Sequence, residues 1–444
     1  MGLTGIQIFK LLPKTNCGEC GSPTCLAFAM ALAAGKAELE KCPTLSDEAK
    51  VQLGEASAPP IRQFTIGTGD YGVKVGGETV MFRHEKTFFN KPGLAILVTD
   101  QMDDGEVSRR LATMAELQYE RVGLNLRPEM VAIKEAGNKG RFLEIVKKVA
   151  ATPYSVILMS ADAGAMKEAL EIAKDKKPLI YAAVNGNAEA MGALAKEYAC
   201  PLAVKAEGLE ALAALSEKLT GMGVKDLVLD SGARTVKGAF SDQIVIRRVA
   251  LQSRFKPLGF PTITLPCEMT DDLMKETLIA SLFIAKYASI IVLSDFAGEN
   301  VFPLLLERLN IYTDPQRPMT TEQGIYPINN PDASSPVLVT CNFSLTYFIV
   351  TGEIENSRVP TWLCVMDTEG LSVMTAWAAG KFVADTVGPF IKKSGIADKI
   401  SHKKLVIPGY AAGILGDLEE ELPGWEITVG PREAAHIPAF LKSR

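Results

Sequence analysis

Histidine is scarce in this chain: only three of its 444 residues are histidines, at positions 84, 402 and 436. So few imidazoles leave no His pair and no histidine–carboxylate triad for a metal. With a net charge of −5 the chain has no basic excess, which argues against binding to nucleic acid or to an anionic membrane. It also lacks an apolar run of transmembrane length and a signal-peptide layout at its start. We therefore expect a cytoplasmic protein with neither nucleic acid nor membrane as a partner.

Four of the eight cysteines lie close together near the start of the chain. Cys17, Cys20 and Cys25 share one short loop, and Cys42 follows after a helix-length segment that begins at Leu26. In a reducing cytosol such a group favours metal binding over disulfides. Four thiolates spaced three plus one favour a 4Fe–4S cluster, whereas structural zinc, the alternative, usually takes two close pairs.

The remaining cysteines are scattered through apolar, strand-like runs, and we expect them to be small buried hydrophobes. They are Cys200, Cys267, Cys341 and Cys364.

Two proline-rich stretches, 54–60 and 312–336, predict linkers, because proline at this density blocks both helices and central strands. They divide the chain into a cluster domain (1–58), a barrel preceded by a hairpin (59–312), a linker (313–336) and a small α/β domain (337–444).

Between the two linkers, short apolar strands alternate with helical stretches, which is the pattern of a (β/α)₈ barrel. The strand candidates are Leu94–Val98, Met130–Ile133, Ser155–Met159, Leu179–Ala183, Leu202–Val204, Leu227–Leu229, Thr262–Leu265 and Ser289–Leu293. Before them, Tyr71–Val75 and Glu78–Arg83 flank Gly76-Gly77 and predict a hairpin that closes one end of the barrel.

The tail alternates again and predicts a small doubly wound, Rossmann-like domain. Its strand candidates are Val337–Thr340, Trp362–Met366, Lys404–Ile407 and Glu426–Val429. The loops 339–346, 366–373 and 430–433 offer hydroxyls and backbone N–H groups where a ligand would sit. Ordinary turns and helix caps explain the same residue types equally well. No Gly-x-Gly-x-x-Gly is present, which argues against a dinucleotide.

Asp162, Asn185, Asp230 and Asp295 follow predicted barrel strands, at the end of the barrel where catalytic groups gather. Polar residues in these positions also simply cap the next helix. Without a convincing nucleophile–base pair nearby, we favour the capping role.

The run Asn-Cys-Gly-Glu-Cys-Gly-Ser-Pro-Thr-Cys at 16–25 with Cys42, then a barrel and a small α/β tail, resembles the large (gamma) subunit family of the corrinoid iron–sulfur proteins of the reductive acetyl-CoA pathway. The resemblance covers the whole chain in domain order. It implies a methyl carrier whose cobamide Co(I) accepts a methyl group from methyltetrahydrofolate through a methyltransferase. Methyl–Co(III) then delivers that group to acetyl-CoA synthase.

The resemblance also implies partners and site residues. The partners would be a small subunit forming a heterodimer, the methyltetrahydrofolate methyltransferase, and CO dehydrogenase/acetyl-CoA synthase. The four clustered cysteines would hold a 4Fe–4S cluster that reactivates Co(II) by reduction. The cobamide contacts would fall at Thr340, Thr346, Gly370, Leu371, Ser372, Val373 and Glu433. As a methyl-transfer component, the chain need not be an enzyme by itself.

His402 lacks the Asp-x-His-x-x-Gly context that supplies an axial imidazole in many cobamide domains. An imidazole on cobalt stabilises Co(II) over Co(I), so a base-off cobamide without a histidine ligand suits a carrier that must be reduced. Three alternatives remain: a cobamide-free iron–sulfur electron-transfer subunit, a pterin-binding barrel methyltransferase using Asp162, Asn185 and Asp230, and a zinc-stabilised scaffold.

Overall fold

The computed structural model describes residues 5–33, 37, 41–46, 49, 59–121, 124–313 and 318–443. These residues form two compact units. The first unit comprises residues 1–81, 88–113 and 128–308, and the second comprises 82–87, 114–127 and 309–444.

The strands of the first unit are β1 (Phe64–Ile66), β2 (Val73–Val75), β3 (Gly93–Thr99), β6 (Met130–Lys134), β7 (Ser155–Met159), β8 (Leu179–Ala183), β9 (Leu202–Lys205), β10 (Leu227–Asp230), β11 (Ile263–Thr264) and β12 (Ile290–Leu293). Those of the second unit are β4 (Tyr119–Arg121), β5 (Leu124–Leu126), β13 (Gly324–Ile328), β14 (Val337–Cys341), β15 (Thr361–Met366), β16 (Lys404–Ile407) and β17 (Glu426–Val429).

The described helices up to the end of the first unit are α1 (Gly5–Leu11), α2 (Cys25–Ala33), α3 (Asp104–Glu116), α4 (Lys139–Ala150), α5 (Ala163–Ala173), α6 (Ala188–Glu197), α7 (Leu209–Gly221), α8 (Val236–Gln252), α9 (Leu273–Ala285) and α10 (Gly298–Ile311). Those that follow are α11 (Ser344–Ser357), α12 (Val373–Ala378), α13 (Ala384–Ser394), α14 (Leu415–Glu421) and α15 (Ile437–Lys442).

Eight parallel strands, β3 and β6 to β12, pair in chain order, with β3 beside β12. A parallel bridge between Leu229 and Thr262 links β10 to the residue before β11, so the sheet is a nearly closed barrel. Each strand candidate proposed for this region overlaps one of these strands, although only Ile263–Thr264 of the candidate Thr262–Leu265 is a strand. Their apolar side chains alternate between an inner core and the surrounding helices, as a barrel requires.

The antiparallel pair β1–β2 closes one end of the barrel. Ile66, Val73 and Val75 belong to the inner barrel core, and Ser155, the first residue of β7, donates to the Tyr71 carbonyl at 2.6 Å. A hairpin therefore does cap the barrel, but the predicted strand partners were wrong, because Val73–Val75 pairs upstream with Phe64–Ile66.

The glycines thought to form that turn serve a close backbone approach instead. A Cβ at Gly76 would lie 1.9 Å from the Arg62 carbonyl oxygen. Beyond them the chain is held by a buried ion pair, since Glu78 accepts from Arg247 at 2.9 Å and from the Phe89 amide at 2.9 Å. Residues 78–83 were predicted to pair as a strand. They are held instead by hydrogen bonds to the Glu78 carboxylate.

In the second unit, parallel strands lie in the order β15-β14-β16-β17, and β13 is antiparallel at the edge beside β15. The chain thus extends the sheet first to one side of β14 and then to the other. One face packs against α12, α13 and α14, and the other packs against α11 and α15. All four strand candidates of the tail are present.

Several boundaries differ from expectation in this unit. Residues 324–328, inside the predicted linker, form β13, so that part of the linker prediction was wrong; Pro327 is tolerated because the strand lies at an edge. The helical region after β15 is divided into α12 and α13 around Gly380, whose φ is 69°. The hairpin β4–β5, which follows the end of α3 at Glu116, was not predicted.

The helix predicted after Cys25 is present as Cys25–Ala33, where the Thr24 hydroxyl accepts from the Ala27 amide at 3.1 Å and caps it. Most of its predicted remainder lies outside the described residues. The predicted linker at 54–60 also lies outside them, apart from residues 59 and 60.

No helix within the described ranges is long and apolar enough to cross a membrane.

Candidate functional site

A pocket of about 320 Å³ lies at the carboxyl ends of β14 and β16. The strand order reverses here, because β15 is added on one side of β14 and β16 on the other. Parallel α/β sheets bind ligands at this position, because neighbouring loops diverge there and leave a crevice. The inner wall is apolar and includes Leu338, Leu363 and Val406, which also belong to the core between the sheet and α11.

Thr340 lines this pocket and carries an unsatisfied polar atom. Its side chain is only 2% exposed, and its Oγ1 has no hydrogen-bond partner. A buried hydroxyl without a partner costs free energy, so native proteins rarely retain one without a reason. A bound molecule that offers a hydrogen-bonding group would satisfy it.

The rim of the pocket is open to solvent and carries three exposed apolar side chains beside the charged Arg432 and Glu433. Ile349 on α11, Met374 on α12 and Tyr410 after β16 all line the pocket and are 47%, 56% and 42% exposed. Apolar side chains gathered around one crevice mark a binding surface rather than scattered exposure. The combination suits a ligand that is broad and largely apolar.

The loops after β16 and β17 form one side of the pocket and are clamped together. The Gly409 amide donates to the Pro431 carbonyl at 3.1 Å, and a Cβ at Gly409 would lie 2.6 Å from the Arg432 amide nitrogen. Across the same loops, the Tyr410 hydroxyl donates to Glu433 Oε1 at 2.6 Å. That bond is the main cause of the raised pKa of Tyr410. It leaves the second oxygen of Glu433 available.

The loop after β15 forms another side of the pocket and is fixed by Asn342. Asn342 is 4% exposed, and its Oδ1 accepts from the Thr368 amide, the Thr368 hydroxyl and the Gly370 amide, each at 3.0 Å. Its Nδ2 donates to Asp367 Oδ1 at 2.9 Å. Sequence reasoning did not single out Asn342, because an asparagine after a strand is also an ordinary turn residue.

Five of the seven contacts expected from the resemblance line this single pocket. They are Thr340, Thr346, Ser372, Val373 and Glu433. The other two, Gly370 and Leu371, lie in the loop before Ser372 but not in the lining. Gly370 has a φ of 75°, and a Cβ there would lie 2.8 Å from Thr320, so its role in the fold is a tight turn.

Three of the four N-terminal cysteines share one small core. Cys25 and Cys42 are buried in it, the partly buried Cys20 packs against it, and Cys17 is exposed. The Asn16 amide points at Cys25 Sγ at 3.4 Å, as N–H groups do towards thiolate sulfur. The donor chemistry thus fits an iron–sulfur cluster. In the described part of the chain, no three His, Cys, Asp or Glu side chains are grouped closely enough to hold a metal, so the ligand set stays a prediction.

The aspartates at the barrel strand ends are used within the protein. Asp162 caps α5 by accepting from the Gly164 and Ala165 amides at 2.6 and 3.1 Å. Asp230 is 3% exposed and accepts from Arg234 and from the Tyr181 hydroxyl, the latter at 2.5 Å. Asn185 is exposed.

The same charge network continues across the mouth of the barrel. Arg234 also donates to Glu268 at 2.5 Å, and Lys134 pairs with the other oxygen of Glu268 at 2.9 Å. Two cations and two carboxylates therefore neutralise one another at the position where catalytic barrels bind substrates. Asp295 is likewise paired, with Arg109 at 2.5 Å.

None of the three histidines is among the residues that line the pocket. His402 uses both ring nitrogens, one 3.0 Å from the Ser335 carbonyl and the other accepting from the Lys404 amide at 3.1 Å. His84 stacks on Phe82 with ring centroids 5.7 Å apart. His436 ends a short 3₁₀ helix.

Among the scattered cysteines, Cys200, Cys341 and Cys364 are buried as expected, whereas Cys267 is only partly buried. Burial raises the pKa of the Cys200 thiol to about 11 and that of Cys364 to about 12.

These features define a multidomain α/β protein with a cysteine-rich N-terminal loop, a barrel with a filled mouth and a C-terminal ligand pocket. Residues 12–44 match a family described as a putative Fe–S cluster, a range that holds all four clustered cysteines. Residues 63–441 match the family described as CO dehydrogenase/acetyl-CoA synthase delta subunit.

Full-length relatives extend these matches. The chain is 46% identical to the corrinoid/iron–sulfur protein large subunit of Moorella thermoacetica, covering 100% of this chain and 99% of the relative. It is 34% identical to the acetyl-CoA decarbonylase/synthase complex subunit gamma of Methanothermobacter thermautotrophicus, covering 99% of each. The same subunit of Methanopyrus kandleri is 36% identical over 99% of this chain and 97% of its own length. The chain therefore belongs to the corrinoid/iron–sulfur large-subunit family of the acetyl-CoA pathway.

Proposed function

We propose that this chain is a methyl carrier that holds a cobamide in the C-terminal pocket and an iron–sulfur cluster on its N-terminal cysteines. When bound, the cobamide would supply a cobalt nucleophile that takes a methyl group from methyltetrahydrofolate through a methyltransferase and passes it to acetyl-CoA synthase. A 4Fe–4S cluster on Cys17, Cys20, Cys25 and Cys42 would supply the electron that restores the reduced cofactor.

The pocket at the point where the sheet order reverses is the observation that carries this proposal. Its lining holds five of the positions expected from the family resemblance, and its open apolar rim suits the broad face of a corrin ring. We propose accordingly that residues 337–444 form a doubly wound corrinoid-binding domain.

Each side of the pocket has a distinct task in this proposal. Thr340 and Glu433 would be among the residues that hold the cobamide: the Thr340 hydroxyl lacks a hydrogen-bond partner, and Glu433 would offer the carboxylate oxygen that Tyr410 does not use. Ile349 and Met374 cover apolar surface and exclude water from it.

We propose that the cobamide is bound base-off without a histidine ligand. His402 is engaged at both ring nitrogens, and neither His84 nor His436 lines the pocket. A metal without an imidazole donor is easier to reduce, which suits a carrier whose reactive state is its most reduced one.

The partners proposed are those that the family implies: a small corrinoid/iron–sulfur subunit, the methyltransferase, and CO dehydrogenase/acetyl-CoA synthase. The barrel methyltransferase is disfavoured as an alternative. Asp230 is committed to Arg234 and Tyr181, and Asp162 to capping α5, so a pterin would have to displace bonds that already satisfy both.

A binding titration with a metal count tests the proposal. Protein purified without oxygen should contain iron rather than zinc, and should bind cobalamin stoichiometrically. Ile349→Asp places a charge on the apolar rim and should weaken cobalamin binding at least about tenfold, because a carboxylate is costly to bury against a macrocycle. Ile172→Asp is the matched control: it is an equally apolar side chain on a helix, 39% exposed, outside the pocket, and should bind as the parent does.

Two results would count against the proposal. Protein that holds iron but takes up no cobalamin would favour the electron-transfer subunit. Equal loss of binding in both variants would show that the apolar rim is not the binding surface.

A further inference from the structure

Asn342 joins the end of β14 to the loop after β15 through four hydrogen bonds. Its Oδ1 accepts three, from the Thr368 amide, the Thr368 hydroxyl and the Gly370 amide, and its Nδ2 donates the fourth to Asp367. These partners lie 25 to 28 residues further along the chain, so the bonds are tertiary and not part of a local turn.

The loop that Asn342 holds has an unusual backbone conformation, which is also supported by the Glu369 amide donating to Asp367 Oδ1 at 2.8 Å and by the Asp367 amide donating to Gln323 at 3.0 Å. Glu369 and Gly370 are both in the left-handed region, with φ values of 56° and 75°. A glutamate there is strained, because its Cβ crowds the backbone. Asn342 bonds to Thr368 and Gly370, the residues on either side of Glu369. These bonds compensate for the strain at Glu369.

The next residues along this loop are part of the pocket. Ser372, Val373 and Met374 all line it, and Val373 begins α12. Any shift of residues 367–370 therefore moves one side of the pocket relative to Thr340, which lies two residues before Asn342 on the other side.

We infer that Asn342 is a positioning residue that sets the separation of the Thr340 and Ser372–Met374 sides of the pocket, and thereby its affinity for a corrinoid. The inference rests on the proposed function. Only an amide serves the role, because one atom must accept three bonds while its neighbour donates one to a carboxylate. Aspartate keeps the acceptor but brings a second carboxylate oxygen against Asp367.

The test uses Asn342→Asp, Asp367→Asn and the double variant in the full-length protein. Asn342→Asp should weaken cobalamin binding by about 10- to 100-fold, through loss of one bond and the like-charge contact that replaces it. Asp367→Asn alone should bind within about threefold of the parent, since its amide oxygen can still accept from the Asn342 side chain and from the Glu369 amide, as Asp367 Oδ1 does in the parent. The double variant should recover part of the loss because the repulsion is gone.

A second measurement on corrinoid-free protein separates positioning from binding. Hydrogen exchange of the amides from 368 to 374 should be faster in Asn342→Asp and slower again in the double variant. Asn329→Asp is the matched control: Asn329 also bridges two segments of this unit, donating to the Ile354 and Val359 carbonyls at 2.9 and 3.2 Å, away from the pocket. It should lower stability without changing cobalamin affinity more than about threefold.

The possible outcomes separate the two claims. A parent protein that binds no cobalamin overturns the proposed function and this inference with it. A parent that binds, with Asn342→Asp binding and exchanging as the parent does, overturns only the inference. If Asn329→Asp weakens binding as much as Asn342→Asp, the effect is loss of stability and positioning is refuted.

Discussion

Replacing Thr340 by valine should stabilise the corrinoid-free protein and at the same time weaken corrinoid binding. Thr340 lies on β14 with its hydroxyl buried and without a partner. Valine has nearly the same shape and an equal or better preference for strands, so the substitution removes the polar atom with little change in packing.

Both effects have magnitudes of a few kcal/mol or less. An unsatisfied buried hydroxyl costs about 1–3 kcal/mol in mutational studies, and part of this is recovered when the group is removed, so a gain of about 1 kcal/mol is expected. A hydrogen bond to the ligand contributes about 0.5–1.5 kcal/mol, which corresponds to a roughly 2- to 13-fold loss of affinity.

Tryptophan fluorescence reports on the relevant unit alone. All three tryptophans of the chain, Trp362, Trp377 and Trp425, lie in its C-terminal unit. Urea unfolding followed by this emission therefore measures the stability of the unit that holds the pocket. Quenching of Trp377, which is 48% exposed on α12, gives the corrinoid titration on the same sample.

Thr264→Val is the control for this prediction. Thr264 on β11 is 4% exposed and its Oγ1 also lacks a partner, but it belongs to the barrel. The control should raise the calorimetric stability of the barrel and leave both the tryptophan transition and corrinoid affinity unchanged. If Thr340→Val destabilised the corrinoid-free protein, or bound cobalamin as tightly as the parent, the reasoning from the unsatisfied hydroxyl would be wrong.

Two further predictions concern titratable groups. Hydrogen bonds from Arg109 and then Arg110 lower the pKa of Glu106 from 4.5 to about 2, so the folded protein favours its ionised form. The stabilisation is present above pH 4.5 and is lost as the pH falls towards 2. The difference in unfolding free energy between the parent and Glu106→Gln, measured by calorimetry, should therefore shrink over that interval. A difference that stays constant would contradict the assignment. Because burial raises the pKa of Cys200 and Cys364 to about 11 and about 12, iodoacetamide at pH 8 should label the exposed Cys17 in cluster-free protein and spare these two until urea is added. Mass spectrometry gives the result, and equal labelling of all three would contradict it.

The barrel was predictable because its pattern repeats. Runs such as Val156–Met159 and Leu179–Ala183 are nearly continuous apolar stretches, as is typical of strands buried on both faces, and the structure buries every residue of both. Period and spacing are local properties, so a single sequence displays them.

Features that depend on distant partners were not predictable. Val73–Val75 pairs with Phe64–Ile66 rather than with the residues after Gly77, because Glu78 is drawn to Arg247, which lies 169 residues away. In the same way, nothing in the local sequence distinguishes Asn342 from an ordinary turn residue, since its partners follow 25 or more residues later. The five pocket positions were predicted from the family resemblance. From the residue types alone, a ligand site and ordinary helix capping were equally good interpretations of these loops.

The edge strand β13 has a consequence for the behaviour of the chain at high concentration. An exposed strand edge offers free donors and acceptors to the edge of another molecule, and uncontrolled pairing of this kind leads to aggregation. Here Pro327 sits within the edge strand and contributes no N–H group, while the opposite edge, β17, carries the ion pair between Glu426 and Lys404 at 3.0 Å. Both borders of the sheet are therefore poor templates for self-association of the folded protein.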